Sequence, residues 1–238
     1  MKALFDLHTH TVASGHAFST WNENVRSAKA HGLLAVGISE HAPMMPGSCH
    51  EFHFSNSKVL PKYYEDMRIY NGVEANIMDY KGTIDVLPSF IEKVDYIIAS
   101  LHKVCIEPGT TTENTNAYLE VMKNPYVKII GHPDDSRYPI DYEELTIAAA
   151  ENHICLELNN SSMHPLSARK NGRENILKLL TKCKEHGTMI IMGTDSHYDG
   201  QIGLFEESYK ILEEVDFPEE QIINTSLENL KLVLNRDL

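Results

Sequence analysis

The feature that most constrains the fold of this chain is a regular alternation between short apolar runs and stretches with helical spacing. The runs occupy residues 3–8, 33–41, 67–77, 95–102, 127–133, 154–160 and 189–197. They are rich in Val, Ile and Leu and mostly continuous, which is typical of strands buried on both faces of a parallel sheet. Helices are predicted between them, for example at 22–32, 143–153 and 172–187. The sequence therefore predicts seven strand–helix units.

These units predict one α/β domain. No linker or change of composition divides residues 1–238, so we assign all of them to a single domain. Repeated strand–helix units usually close on themselves, which predicts a distorted TIM-like (βα)7 barrel, with an open doubly wound sheet as the alternative. Two short helical segments, near 218–224 and 226–235, are expected to pack against the outside of the barrel.

The charge of the chain limits its partners. With 21 basic and 34 acidic side chains, the net charge is −13 at pH 7. An acidic surface repels phosphate backbones and anionic lipids, so neither nucleic acid nor a membrane is expected as a partner, whereas bound divalent cations would offset part of the charge. We expect no signal peptide and a cytoplasmic protein with four reduced cysteines, because the cysteines are widely spaced. A homo-oligomer is left open.

Histidine is the unusual residue here, with 13 copies, and most candidates for metal binding lie where an apolar run ends. These are His8, His10, His41, Glu74, His102, His132, Asp195 and His197, with His16 shortly after the first run. On an extended chain, residues two apart such as His8 and His10 point to the same side. In a parallel barrel all the carboxyl ends open onto one face. Imidazole and carboxylate ligands suit zinc, iron and manganese, so a metal site is predicted at that face.

The other histidines serve as a comparison. His31, His153 and His186 lie at the ends of predicted helices, and we interpret them as structural. Three more lie in predicted loops, where they either face the substrate or are solvated: His50, His53 and His164. The long loop at 42–66 is a candidate lid, because loops of that length are uncommon in compact barrels and often functional.

Several motifs, in this order, resemble the PHP (polymerase and histidinol phosphatase) family. They are D-x-H-x-H, G-[IV]-S-[ED]-H, G-x-E-x-N, S-x-H, G-H-P, E-x-N-x and G-[ST]-D-S-H, and they extend from Asp6 to His197. Within the family the chain is most similar to the stand-alone YcdX-type phosphatases, which implies a trinuclear metal centre in a distorted (βα)7 barrel.

The resemblance also implies a ligand set. One metal would be held by His8, His10, Glu74 and Asp195; a second by Glu74, His102 and His132; and a third by His16, His41 and His197. Three divalent ions are therefore expected, with zinc favoured and manganese or iron as alternatives. Asp6 is either a residue that orients an imidazole ring or a polar residue at the end of its strand.

The implied reaction is the hydrolysis of small phosphate monoesters by a metal-bridging hydroxide that attacks phosphorus, with Glu74 and Asp195 as the catalytic carboxylates. Arg169, Lys170 and Lys103 are the candidate substrate-binding residues, since basic groups match phosphate oxygens. The alternatives are an amide or lactone hydrolase and a non-catalytic metal-binding module. A histidinol-phosphate phosphatase would be one case of the first interpretation.

Overall fold

The computed structural model describes residues 1–235 and shows a barrel-like sheet surrounded by helices. The strands are β1 (Phe5–Asp6), β2 (Ala35–His41), β3 (Tyr63–Tyr64), β4 (Met67–Asn76), β5 (Tyr96–Ser100), β6 (Val127–Ile130), β7 (Cys155–Asn159) and β8 (Ile190–Gly193). Seven of them pair in parallel in the order β1-β2-β4-β5-β6-β7-β8, and the short β3 pairs antiparallel with β4. The predicted distorted TIM-like (βα)7 barrel is confirmed.

Helices connect the strands and cover the outer face of the sheet. They are α1 (Trp21–Ala30), α2 (Phe52–Asn56), α3 (Pro88–Ile91), α4 (Thr111–Val121), α5 (Tyr142–Glu151), α6 (Gly172–His186) and α7 (Glu206–Glu214), supplemented by short 3-10 helices. α1 and α4 each begin with a capping box, formed by Thr20 with Glu23 and by Thr110 with Glu113. α6 is followed by Gly187 in the left-handed conformation, which ends the helix.

Tyr96 lies inside the barrel. Its side chain is fully buried, and its hydroxyl donates a hydrogen bond to the Leu7 carbonyl at 2.6 Å. A Cβ atom at Gly37 or Gly72 would lie 2.1 or 2.2 Å from atoms of the Tyr96 side chain. Both positions therefore require glycine, because any larger residue would collide with Tyr96.

The seam between the first and last strands is closed in two different ways. Toward the carboxyl ends, Thr9 and Ser196 form a single parallel bridge, and the His10 N–H donates to the Ser196 carbonyl at 2.8 Å. Toward the amino ends, the Asn224 side chain donates to the carbonyls of Phe5 (3.0 Å) and Met192 (2.9 Å) and accepts from the Met192 N–H (2.7 Å).

The sequence led us to expect that the final segment packs against the outside of the barrel. The structure places it elsewhere. It consists of short 3-10 helices, including Ile223–Thr225 and Leu227–Leu232. Ile223, Leu230 and Val233 belong to the same apolar cluster as Phe5 and other side chains in the interior of the barrel. The segment closes the amino end of the barrel, opposite the strand ends that carry the histidines.

The segment after β2 contains more secondary structure than the loop predicted at 42–66. It contains α2, a 3-10 helix at Ser57–Val59 and β3, and Phe54 anchors it in the core. Within residues 1–235, none of the helices combines the length and the apolar character needed to span a membrane.

Candidate metal centre

The strand ends bring all the predicted metal ligands into one cluster. Neighbouring imidazole rings in the cluster have centroids 4.3–5.9 Å apart. The members are His8, His10, His16, His41, Glu74, His102, His132, Asp195 and His197. His16 lies at the exposed edge, and the others are buried or half-buried.

Glu74 lies at the centre of the cluster because the register of the sheet places it opposite His41. Its Oε2 atom is 2.7 Å from Nδ1 of His41 and 3.4 Å from Nε2 of His8. Its Oε1 atom is 2.9 Å from Nε2 of His132 and 3.2 Å from Nε2 of His102. The two carboxylate oxygens thus face different sets of imidazoles, which is the arrangement of a bridging ligand.

Asp195 completes a group of four donors. Its Oδ1 atom is 3.2 Å from Nε2 of His10 and 3.5 Å from Nε2 of His8, and Nε2 of His10 is 3.5 Å from Oε2 of Glu74. Ligands on a tetrahedral zinc ion, with bonds near 2.0 Å, are separated by about 3.3 Å. Asp195 and His132 also have positive φ angles, 52° and 29°, which are uncommon outside glycine and concentrate at functional sites.

Several donor atoms of the cluster are buried without a hydrogen-bonding partner in the described part of the chain. They are Nε2 of His8, Nε2 of His10, Nδ1 of His41 and Oε2 of Glu74, and the last two lie close together without hydrogen-bonding geometry. Buried polar atoms in native proteins nearly always have a partner, and a divalent cation would satisfy several of these atoms at once. The Nε2 atoms of His16 and His197 also face each other at 3.0 Å. The donor set therefore fits metal ions.

The electrostatics of the cluster keep its carboxylates ionised. Burial alone would raise the pKa of Glu74, but the neighbouring His102 and His41 hold that pKa well below its usual value. Burial acts in the same direction on Asp195, and His8 and Arg169 hold its pKa well below normal. For His10, burial together with repulsion from His41 and His197 lowers the pKa well below normal, which leaves a neutral imidazole able to bind metal.

Glu157, on β7, supports the cluster from behind and was assigned no role in the sequence analysis. Its Oε1 atom is 2.6 Å from Nδ1 of His8, and its Oε2 atom accepts a hydrogen bond from the His132 backbone N–H at 2.8 Å. Gly193 makes room for it, because a Cβ there would lie 2.0 Å from Oε1. The signal was present in the E-x-N-x motif, where a lone acidic residue interrupts an apolar run.

Two other imidazoles have partners on their outer nitrogen. Nδ1 of His102 lies 2.7 Å from Oδ1 of Asn76. Nδ1 of His10 lies 3.1 Å from the Ser14 hydroxyl, which donates to Glu40 at 2.5 Å. These contacts turn Nε2 of each ring toward the centre of the cluster, as outer-shell partners do in metalloproteins.

Asp6 does not orient an imidazole. Its carboxylate accepts from the backbone N–H of His8 at 3.2 Å and from the Thr194 hydroxyl at 2.5 Å, so it joins β1 to the segment after β8. Burial raises the pKa of Asp6 to about 6. Asp6 therefore fits the interpretation of a polar residue at the end of its strand better than that of a residue that orients a ring. It also fixes the backbone beside His8.

A cavity of about 570 Å³ opens over the cluster, and Arg169 forms part of its wall. Its Nη2 donates to Oδ2 of Asp195 at 2.5 Å, and its Nη1 donates to Oδ1 of Asn159 at 3.2 Å. Lys103 also lines the cavity, whereas Lys170 is exposed and lies outside the lining.

One cavity residue was not predicted from the sequence, and one of the three loop histidines also reaches the cavity. Arg137 lines the cavity and was not predicted, since it lies between the fifth and sixth runs in a segment without a recognised motif. His164 also lines it, whereas His50 and His53 are exposed and lie outside its lining.

Comparisons with known proteins identify relatives of this chain. A family model described as PHP domain matches residues 6–161. A protein of Acetivibrio thermocellus described as a probable phosphatase is 43% identical over 236 residues, which cover 99% of this chain and 97% of that protein. A probable phosphatase of Clostridium novyi is 45% identical over 230 residues, 97% of this chain and 93% of that one.

A solved structure is also similar in fold. The histidinol phosphate phosphatase of Lactococcus lactis, crystallised with zinc, L-histidinol and phosphate, aligns with a TM-score of 0.65 at 20% identity. The alignment covers 92% of this chain and 95% of that one.

Proposed function

Since the chain belongs to the PHP domain family, we propose that it is a metal-dependent phosphatase that hydrolyses small phosphate monoesters. The observation that carries this proposal is the buried cluster around Glu74, in which four donor atoms lack a hydrogen-bonding partner among residues 1–235 and lie close to one another. The relatives described as probable phosphatases, which match nearly the whole chain, support the same reaction class.

The proposed centre contains three divalent ions, with zinc favoured. Three overlapping donor groups support this number, with all donor atoms within 4.8 Å of one another in each: His8, His10 and Glu74; His41, Glu74 and His102; His10, His41 and His197. The assignment that follows from the family resemblance gives His132 to the second ion and His16 to the third. Histidine nitrogen suits zinc, and the histidinol phosphate phosphatase of similar fold contains zinc.

When bound, such ions supply a hydroxide near neutral pH and neutralise charge on phosphoryl oxygens. The residues of the chain then have distinct tasks. Glu74 and Asp195 remain ionised and hold the cations in place. Arg169 lies beside Asp195 at the wall of the cavity, where its remaining N–H groups can bind the phosphoryl group. The cavity beyond Arg169 receives the alcohol part of the substrate.

The proposal is tested by elemental analysis of the purified protein together with a phosphatase screen. The panel contains sugar, nucleotide and amino-alcohol phosphates, including histidinol phosphate, and inorganic phosphate is tested as a product inhibitor. Glu74→Gln should lower both metal content and kcat/KM, the latter on the order of a hundredfold or more, since it removes the central ligand. Glu143→Gln is the matched control, because Glu143 lies in an exposed cluster with His186.

Two results would count against the proposal. One is metal-loaded protein that hydrolyses no phosphate monoester but cleaves an amide or lactone. The other is a Glu74→Gln variant that keeps its metal and its activity.

A further inference from the structure

We infer that Arg137 is a specificity residue, which binds a second anionic group on the alcohol part of the substrate. That group is a carboxylate or a second phosphate, and both present the oxygens that a guanidinium fork recognises. The inference rests on the proposed phosphatase function and names a substrate class within it.

Arg137 shares the cavity with the metal cluster. It lines the same cavity as His102, His132 and Asp195, and its side chain retains 29% exposure. It belongs to the segment after β6, which leads away from His132. A substrate whose phosphoryl group lies against the cluster would therefore extend past Arg137.

The guanidinium of Arg137 is held in place. Its Nε donates to Oδ2 of Asp135 at 2.7 Å, and its Nη2 lies 2.5 Å from the same oxygen. Asp135 is only 8% exposed. Its Oδ1 accepts hydrogen bonds from the backbone N–H groups of Arg137 (3.0 Å) and Lys170 (3.2 Å). The Ser136 N–H also donates to the Lys170 carbonyl at 3.0 Å, so the loops after β6 and β7 are tied together. This support fixes the guanidinium of Arg137 at the wall of the cavity.

The two arginines of the cavity are not equivalent. Arg169 bonds to Asp195, Asn159 and Ser162, beside the metal cluster, and this position suits the phosphoryl group. Arg137 contacts Asp135 through one edge, and a guanidinium has five N–H donors, so the remaining donors are free to face the cavity. A monoester of a neutral alcohol needs only the first arginine. The second is explained by a second anion.

The test compares matched substrates that differ by one anionic group. The first pair is O-phosphoserine and O-phosphoethanolamine, which differ by a carboxylate. The second pair is 1,3-propanediol bisphosphate and 3-hydroxypropyl phosphate, which differ by a phosphate. Selectivity is the ratio of kcat/KM within a pair. The wild type should favour the member with the extra anion in at least one pair, which identifies the source of the anion.

In Arg137→Gln, that selectivity should fall about tenfold or more, the effect of losing a hydrogen bond to a charged group. Arg137→Lys keeps the charge but loses the fork of N–H donors. Its selectivity should therefore lie between that of the wild type and that of Arg137→Gln. The matched control is Arg173→Gln, because Arg173 pairs with Glu214 at the surface. This variant should leave the kcat/KM ratios within each substrate pair unchanged. Thermal unfolding of each variant checks that the fold is kept.

Binding of phosphonate analogues by calorimetry gives the same comparison without turnover. If the metal-loaded wild type hydrolyses none of the four substrates, the proposed function fails for them, and the calorimetry still decides the role of Arg137. The inference would be overturned if the wild type showed no selectivity within either pair, in turnover or in binding. So would an unchanged ratio in Arg137→Gln.

Discussion

Glu157 shows how one buried carboxylate can organise two neighbouring ligands. It accepts from the ring of His8 and from the backbone of His132, which belong to strand ends separated by more than a hundred residues in the chain. Burial tends to raise the pKa of Glu157, but the charge of His8 keeps it below its normal value, so the group stays ionised. An anionic partner increases the basicity of the imidazole that faces the metal.

Replacing Glu157 with glutamine should therefore weaken metal binding about 10- to 100-fold, with little change in side-chain volume. Competition with a chromogenic chelator measures the loss of zinc affinity. The exposed Glu151→Gln serves as the control. Equal zinc affinity in Glu157→Gln and wild type would show that Glu157 has no role in holding the ligands.

Arg169 contacts both a ligand and the cavity, so its removal should have two separable effects. In Arg169→Ala, KM for a small phosphate monoester should rise on the order of tenfold, because the phosphoryl group loses a charged donor. Metal content is measured alongside, because Arg169 also holds Asp195. Lys170→Ala, exposed and outside the cavity, should retain the wild-type KM. Similar kinetics in both variants would remove Arg169 from the substrate site.

The residues of the metal cluster were largely accessible from the sequence, whereas their supports were not. Strand ends in a parallel barrel must meet, so histidines at the ends of apolar runs are placed together by topology alone. Asn224 and Glu157 act through partners distant in sequence, and nothing in their local pattern indicates those partners. Arg137 has its partner Asp135 only two residues away, but no local pattern places its guanidinium at the cavity. The contact of Asp6 with backbone rather than with a ring is equally invisible before the fold is known.

At the scale of elements, strands β2 and β4 depend on the space that glycine leaves for Tyr96. Gly72→Ala should destabilise the protein by about 1–3 kcal/mol, the usual effect of overpacking a core. Urea denaturation measures the change. In a Tyr96→Ala background the same substitution should cost much less, and a double-mutant cycle gives the coupling. Additive effects would mean that the ring and the glycine do not interact.

The apolar runs located the strands but overestimated their lengths, since β1 is Phe5–Asp6 within the run 3–8 and β8 is Ile190–Gly193 within the run 189–197. Continuous apolar runs marked the parallel strands because both faces of those strands are buried. The final segment was misjudged for a different reason. Its apolar residues fit either an outer surface or the end of a barrel, and the gap in strand pairing between β1 and β8, which Asn224 bridges, decides between them.

At the scale of the whole molecule, metal binding should stabilise the fold. Ligands that bind only the native state add about 2.7 kcal/mol when their free concentration is a hundredfold above Kd. For a chain of this size that corresponds to roughly 5–10 °C in Tm. Thermal unfolding after chelation, and again after zinc is restored, measures the shift. Glu74→Gln should respond less than wild type, and an unresponsive wild type would contradict a metal centre formed by the folded barrel.

The seam between β1 and β8 has a consequence for synthesis of the protein. His8 and His10 emerge from the ribosome early, but Asp195 and His197 lie beyond the last strand, on the other side of the Thr9–Ser196 bridge. A nascent chain therefore carries its first imidazoles through most of translation before Asp195 and His197 exist. Completion of the donor set is thus a late event, coupled to the closure of the barrel, and truncated products cannot assemble it in full.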